Sequence, residues 1–287
     1  MVLRRARYQW LRQLDREEDM SETIAAPPAP KPPKVRRIER ADIAEALRLG
    51  IEDFRAAPSC GLVIGAAVGL IGLAIVASAT WLHVSWLIYP FAIGFPLVGP
   101  FLAVGLYEVS RRRERGEVAT WGQVWPAIWA QRGRELSWMA FVMLFVFWVW
   151  MYQIRLLIAI FLGSKSFSTL DKFMTIVTTT PEGWMFLAVG HVVGAALSLV
   201  LFSITVISIP LLLERDVDFI TALITSVQAV FLNPPVMLGW GLIVTLLVVI
   251  GSLPFFAGLV LVIPILGHAT WHIYKKAVVP LGAEAAK

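Results

Sequence analysis

The chain has 287 residues, of which 58% are hydrophobic and only 16% charged, with a mean hydropathy of +0.73. A soluble domain carries roughly 25% charged residues, so the composition argues against a soluble enzyme and for a polytopic membrane protein. The net charge of +5 is unevenly spread: twelve Lys or Arg precede Gly61 and six more lie between Glu108 and Leu136. That is the bias of segments held in the cytoplasm and drawn to anionic headgroups, and no aromatic–basic module for nucleic acid accompanies it.

Residues 1–41 read as a basic cytoplasmic tail. Its stretch from Pro27 to Pro33 cannot propagate a helix and predicts a solvated spacer; no cleavable signal peptide is visible in it. From Asp42 the pattern becomes helical. Asp42 and Glu45 have capping-box spacing, and Ile43, Leu47, Ile51 and Phe54 recur at helical intervals, which predicts an amphipathic helix on the membrane surface, stopped near Pro58. Gly61 to Thr80 is the first uncharged span, and Gly61, Gly65 and Gly69 place small residues every fourth position, a stripe that lets another helix approach closely. Cys60, the lone cysteine, excludes an intrachain disulfide and a cysteine-built metal site.

Trp81, His83, Trp86 and Tyr89 form an outer aromatic turn. The second span, Leu87 to Tyr107, carries Pro90, Pro96 and Pro100, a density that predicts a kinked or partly unwound helix, and ends at Glu108 and the arginines from Arg111 to Arg115. Thr120 and Gln123 cap a second surface helix, which Pro126 is expected to interrupt. The third span starts near Leu136 and exits through Trp148, Trp150 and Tyr152, leaving 163–183 as an outer loop. The fourth, Trp184 to Leu213, contains Pro210 and repeats the small-residue spacing at Gly190 and Gly194. Asp218 caps a third surface helix ending at Asn233. The segment from Val236 to Tyr274 is too long for one span at ~1.5 Å per residue against a ~30 Å core, and Pro254 splits it into two.

The expected fold is therefore all-α. Six transmembrane helices form three hairpins over residues 42–280, each preceded by a short amphipathic surface helix, with both termini cytoplasmic and 281–287 a short tail. This orientation leaves only Arg155, Lys165 and Lys172 of the 25 basic residues outside the cytoplasm or its interface. The three surface helices imply one unit used three times. Aligning Pro100 with Pro264 places Tyr107 on Trp271, Val109 on Ile273 and Arg111-Arg112 on Lys275-Lys276. Mitochondrial carriers also have three hairpins, but their Pro-x-acid-x-x-base motif does not occur here.

Few residues invite chemistry. His268 and His272 stand one helical turn apart, a spacing that suits a metal, but His191 falls at a different depth and His83 at the outer interface. Interfacial or hydrogen-bonded histidines compete with a haem-type redox site, and no metal or cofactor is assigned. Arg155 is costly inside an apolar segment. It is expected to snorkel outward toward Asp171 or Glu182, with Gln153 in the same polar patch, or to serve a solute path. No catalytic triad, phosphate loop or zinc-protease motif is present, so an enzyme is not expected.

Three stretches, 53–58 (DFRAAP), 95–100 (FPLVGP) with Tyr107-Glu108, and 267–274 (GHATWHIY), resemble a proteobacterial integral-membrane family defined as a domain of unknown function. The resemblance runs from about Arg40 to Val279. Some members carry a cytochrome c oxidase subunit label, which implies at most an association, since this chain lacks the facing histidines of a haem–copper core. The function these readings imply is a non-catalytic accessory or scaffolding subunit of the bacterial inner membrane. Its partners would be the lipid bilayer and other membrane subunits or a second copy, not nucleic acid. A channel or transporter for a small solute is the alternative.

Overall fold

A computed structural model describes residues 33–80, 88–130, 135–163 and 170–280, with backbone alone at 78–80, 88–100 and 170–171. The proline-rich tail before Pro33, the outer turn with Trp81, His83 and Trp86, Lys165 and the last seven residues lie outside these.

The described residues are helical apart from one isolated antiparallel bridge between Val35 and Val278. In chain order they form α1 (Arg40–Ala56), α2 (Pro58–Thr80), α3 (Ile88–Glu114), α4 (Trp121–Ala130), α5 (Leu136–Leu157, extended by a π turn over Ile158–Leu162), and α6 (Leu170–Thr179). There follow α7 (Pro181–Thr205), α8 (Ser208–Glu214), α9 (Phe219–Leu232), α10 (Pro234–Ser252) and α11 (Leu259–Ala277). Four stretches among them are long and apolar enough to cross a membrane: Pro58–Ala77, Leu136–Leu162, Pro181–Glu214 and Pro234–Ser252.

Several boundaries follow from local chemistry. Asp218 caps α9 as its sequence position predicts, its Oδ1 accepting from Thr221 N–H at 2.8 Å and its Oδ2 from Thr221 Oγ1 at 2.6 Å. These bonds hold the Asp218 carboxyl below its ordinary value. At α1 the reciprocal residue is one turn earlier than expected: Asp42 sits at the third helical position and Oδ2 accepts from Glu39 N–H at 2.7 Å. Gln123 reaches back to Thr120 N–H at 3.3 Å to start α4.

Other expectations change. Pro126 does not interrupt α4, which continues to Ala130. The backbone of α3 is helical from Ile88 through the proline-rich half to Glu114. The outer segment 163–183 is not all loop, because its apolar Phe173, Ile176 and Val177 fall on one face of α6. The break in the fourth span lies at Val206-Ile207, ahead of Pro210. There the Ile207 N–H freed from the helix donates to Ser226 Oγ at 3.1 Å, and Ser226 in turn donates to Ser203 O at 2.7 Å.

The centre of the packing is α11. Its lower half buries His268, Ala269, Trp271, Ile273 and Tyr274. The apolar stripe of α1 (Ile43, Ala46, Gly50) lies against this helix instead of the membrane surface: a Cβ on Gly50 would stand 2.8 Å from Ala269 N and 2.9 Å from Ile265 O. Beyond it α2 continues along the upper part of α11. Elsewhere α4 packs on α3 and α9 on α7 and α8, the helices just before them, so only α1 is carried by a helix from a distant part of the chain. The residues aligned by Pro100 and Pro264 also meet, with the Tyr107 and Trp271 ring centroids 6.3 Å apart.

Candidate functional site

The most concentrated chemistry lies where α1, α3, α8 and α11 converge. Asp53 occupies the same stripe of α1 as Ala46 and Gly50, so the helix that buries those residues buries a carboxylate too; only 3% of Asp53 is exposed. His272 Nε2–H donates to its Oδ2 at 2.8 Å, and Arg113 pairs with Oδ1. Burial pushes the Asp53 carboxyl up, but hydrogen bonds from His272 and Ser110 and the neighbouring positive charge outweigh it and hold the group below its ordinary value of 3.8.

Around this pair the other ends interlock. Trp271 Nε1–H donates to Glu114 Oε1 at 3.0 Å, with His272 Nδ1 3.7 Å from the same oxygen and Lys275 Nζ 3.6 Å from Oε2. Lys275 also reaches Glu214 Oε1 at 2.5 Å, and Tyr274 donates its hydroxyl to Glu214 Oε2. Glu108, fully buried, takes Arg111 at 2.5 Å and Arg112 at 2.7 Å, while Arg111 also donates to Leu213 O at 3.1 Å. Asp53 and Glu214 each accept from two side chains, whereas Glu108 accepts a hydrogen bond from Arg112 and meets Arg111 as an ion pair that leaves its buried Oε2 without one; such pairing offsets the desolvation that makes an unpaired buried charge costly. Glu108 and Glu214, near or at the ends of their helices, are internal fasteners.

A second tie sits beside the first. Asn233 accepts from Ile38 N–H at 2.8 Å and donates to Arg36 O at 3.1 Å and Ala229 O at 3.0 Å. Arg36 N–H reaches Ala277 O and Val279 N–H reaches Lys34 O, both at 2.9 Å. Lys276 bridges Asp42 at 2.9 Å and Glu45 at 2.6 Å. The start of the described chain is thus fastened to Asn233 ahead of α10, and its end is fastened to that start.

The structure brings His268 and His272 to this region but gives them different partners: His268 Nδ1 lies 2.9 Å from Ser110 Oγ, whereas His272 faces Asp53. Among the described residues no group of three His, Cys, Asp or Glu is disposed to hold a metal ion. His191 stands exposed on α7, its Nδ1 2.6 Å from Leu187 O. Arg155 is exposed within the helical run of α5 and Gln153 is half-buried near it. Neither joins the cluster.

The glycines separate into two kinds. A Cβ on Gly61 would meet Pro264 Cβ at 3.0 Å, on Gly65 the Val260 carbonyl carbon at 2.9 Å, and on Gly69 Phe256 O at 3.0 Å. Gly194 faces Trp150 at 2.9 Å, but Gly190 has only Leu157 Cδ1 at 3.9 Å and does not need its small size.

Sequence reasoning missed Asp53, Ser110, Glu114 and Tyr274. One signal was available: Asp53 continues the stripe of Ala46 and Gly50, so a charge stands where the helical period demands burial.

Residues 87–214, α3 through α8, match the model of a family described as "Predicted integral membrane protein (DUF2189)". Over this stretch, somewhat under half of the chain, the sequence is similar to that family. No curated protein and no solved structure matches the chain. The family supports an integral membrane protein and attaches no chemistry to it; α1, α2 and α9–α11, which supply half of the ion-pair cluster, lie outside the matched stretch.

Proposed function

We propose that this protein is a non-catalytic scaffolding subunit of the bacterial inner membrane, with both chain ends on the cytoplasmic side. Three helix pairs, α2–α3, α5–α7/α8 and α10–α11, enter from that side, each introduced by an amphipathic helix. The observation that carries the reading is the division of labour between surfaces. The polar residues are spent on one another, fastening helix ends, while α5 leaves an aromatic ladder open: Trp138, Phe141, Phe145, Trp148 and Tyr152 are all exposed. Aromatic side chains at three- and four-residue intervals suit helix–helix association in a membrane, where packing, not hydrophobicity, drives contact.

Mild-detergent purification followed by mass spectrometry tests this. A membrane subunit at fixed stoichiometry that is lost from the Phe141→Ala/Phe145→Ala double variant supports it. A pure monomer from the wild type refutes it. A respiratory oxidase is the first partner we propose to look for.

The second reading is a small-solute channel, favoured by the meeting of the α3, α8 and α11 ends, where a gate would stand. Under it, Glu214→Gln, which loosens Lys275 and Tyr274 at those ends, raises solute flux in vesicles. Under the scaffold reading flux is unchanged.

A further inference from the structure

The third helix pair reaches less far than the other two. Gly61, Gly65 and Gly69 of α2 oppose Pro264, Val260 and Phe256 in turn, so α2 and α11 run antiparallel in four-residue steps. The turn before α11 is therefore level with Gly69 and with Gly72, which faces the Phe256 ring. Beyond Gly72, α2 continues for eight residues to Thr80, about 12 Å.

A second ruler agrees. A Cβ on Gly241 of α10 would stand 3.5 Å from the Phe202 ring of α7. From that level α10 climbs eleven residues to Ser252, about 16 Å, whereas α7 climbs twenty-one to Pro181, about 31 Å. Both rulers leave the turn well short of the far ends of its neighbours.

The turn itself is built for hydrocarbon. Residues Leu253 to Gly258 carry no polar side chain, and Leu253 and Phe255 are 76% and 68% exposed. A turn in water would use Gly or Asn where φ is positive. Here two phenylalanines, Phe255 at 50° and Phe256 at 64°, adopt that conformation. Part of the backbone pairs within the turn: Leu253 N–H donates to Ile250 O at 3.3 Å, Phe256 N–H to Ser252 O and Ala257 N–H to Pro254 O, both at 3.0 Å. Pro254 has no N–H to satisfy. Internal pairing is what a segment at membrane depth requires. At the other end of the pair the chemistry reverses, with His268, His272, Lys275 and Lys276 in the polar cluster.

We infer that α10–α11 is a re-entrant pair, which enters from the face bearing the ion-pair cluster, turns inside the bilayer and returns. Its tip, Leu253 to Phe255, rests against lipid acyl chains, and acyl chains of the opposite leaflet fill the recess beside the last turns of α2. The six crossings expected from hydropathy become four crossings and one re-entrant pair. The lower half of α11 is displaced out of the hydrocarbon, which is why it tolerates two histidines and two lysines. The inference stands independently of any protein partner.

Depth measurement on the full chain tests it. In a Cys60→Ala background, Phe255→Cys is labelled with the fluorophore NBD in detergent and reconstituted into sealed phosphatidylglycerol–phosphatidylethanolamine vesicles. The re-entrant tip loses no fluorescence to external dithionite and is quenched most by nitroxides at mid-chain, while a Thr178→Cys control loses its outward-facing fraction. Loss at Phe255→Cys matching the control, or strongest quenching by a headgroup nitroxide, overturns the inference. Leu253→Cys provides the same readout should Phe255→Cys fail to reconstitute.

Discussion

Replacing Gly65 by alanine tests the close seam between α2 and α11. A Cβ at that position would stand 2.9 Å from both the carbonyl carbon and the Cα of Val260, against an optimal carbon–carbon separation of ~3.5–4.0 Å. The obstacle is backbone on a packed helix, so no rotamer can move aside. α2 and α11 must separate by about 0.6–1 Å, a gap that forfeits a quarter to a half of the dispersion well for every pair of atoms along the seam. Overpacking of this kind costs about 1–3 kcal/mol. Gly190→Ala is the matched control, because its nearest neighbour, Leu157 Cδ1, lies at 3.9 Å, ordinary contact distance. Reversible unfolding of the purified protein in mixed micelles, titrated with SDS, measures both. Gly65→Ala should shift the midpoint clearly downward and Gly190→Ala should leave it near wild type. Equal shifts would refute the argument that backbone contact, and not glycine content, sets stability here.

Asp53→Asn removes the buried carboxylate from Arg113 and His272; since the Arg113 side chain left behind is 34% exposed, a loss of about 1–3 kcal/mol is expected, that of hydrogen bonds to a charged group, read by the same titration. Since the folded Asp53 carboxyl lies below its ordinary value of 3.8, its stabilisation is complete above about pH 4 and is lost as the pH falls through the folded value. Wild type should therefore lose stability more steeply than Asp53→Asn between pH 5 and pH 3; parallel curves would sink the assignment. Asn233→Leu deletes three hydrogen bonds and leaves Ile38 N–H and Arg36 O without them, so limited proteolysis should cut residues 33–39 much faster than in wild type while α2 stays protected. Asp218→Ala removes the α9 cap at a cost of about 1 kcal/mol, and Asp218→Ser should recover most of it in thermal melts.

The apolar elements were legible in the sequence because membrane helices declare themselves by length and by absence of charge. Asp218 and Asn233 bounded α9 where local side-chain chemistry decides the boundary, and Pro254 marked the last break. Contacts made at long range were not legible. Composition makes residues 34–39 look like the end of a solvated spacer, and only the arrival of Ala277, Val279 and Asn233 from more than 190 positions away gives their backbone partners. Asp42 and Glu45 matched a capping pattern, yet Glu45 instead binds Lys276, because Glu39 completes the cap one turn earlier. The glycine stripe was visible, but not that Gly50 extends it on α1, nor that α11 is the helix that fits it. The histidine pair at 268 and 272 suited a metal by spacing alone; their partners, Ser110 and Asp53, come from two other helices.

The cluster also bears on the choice between fastening and gating. Opening a path between the ends of α3, α8 and α11 would break Lys275 from Glu214, Arg111 from Leu213 O and Trp271 from Glu114. These groups are partly exposed, so each contact is worth less than a buried pair, about 1–3 kcal/mol for a hydrogen bond to a charged group. Three lost together still exceed the ~1–3 kcal/mol by which one ligand usually couples to a distant site, and moving a closed population from 1:99 to 99:1 requires about 5.5 kcal/mol. A solute gate here would need a second energy source, such as the membrane potential acting on charges in the field. The cluster lies at the polar ends of its helices, beyond their apolar stretches, where little of that field falls. Its energetics therefore favour a permanent fastening of the three units, and the mobile surfaces are to be sought at the lipid-facing side of α5.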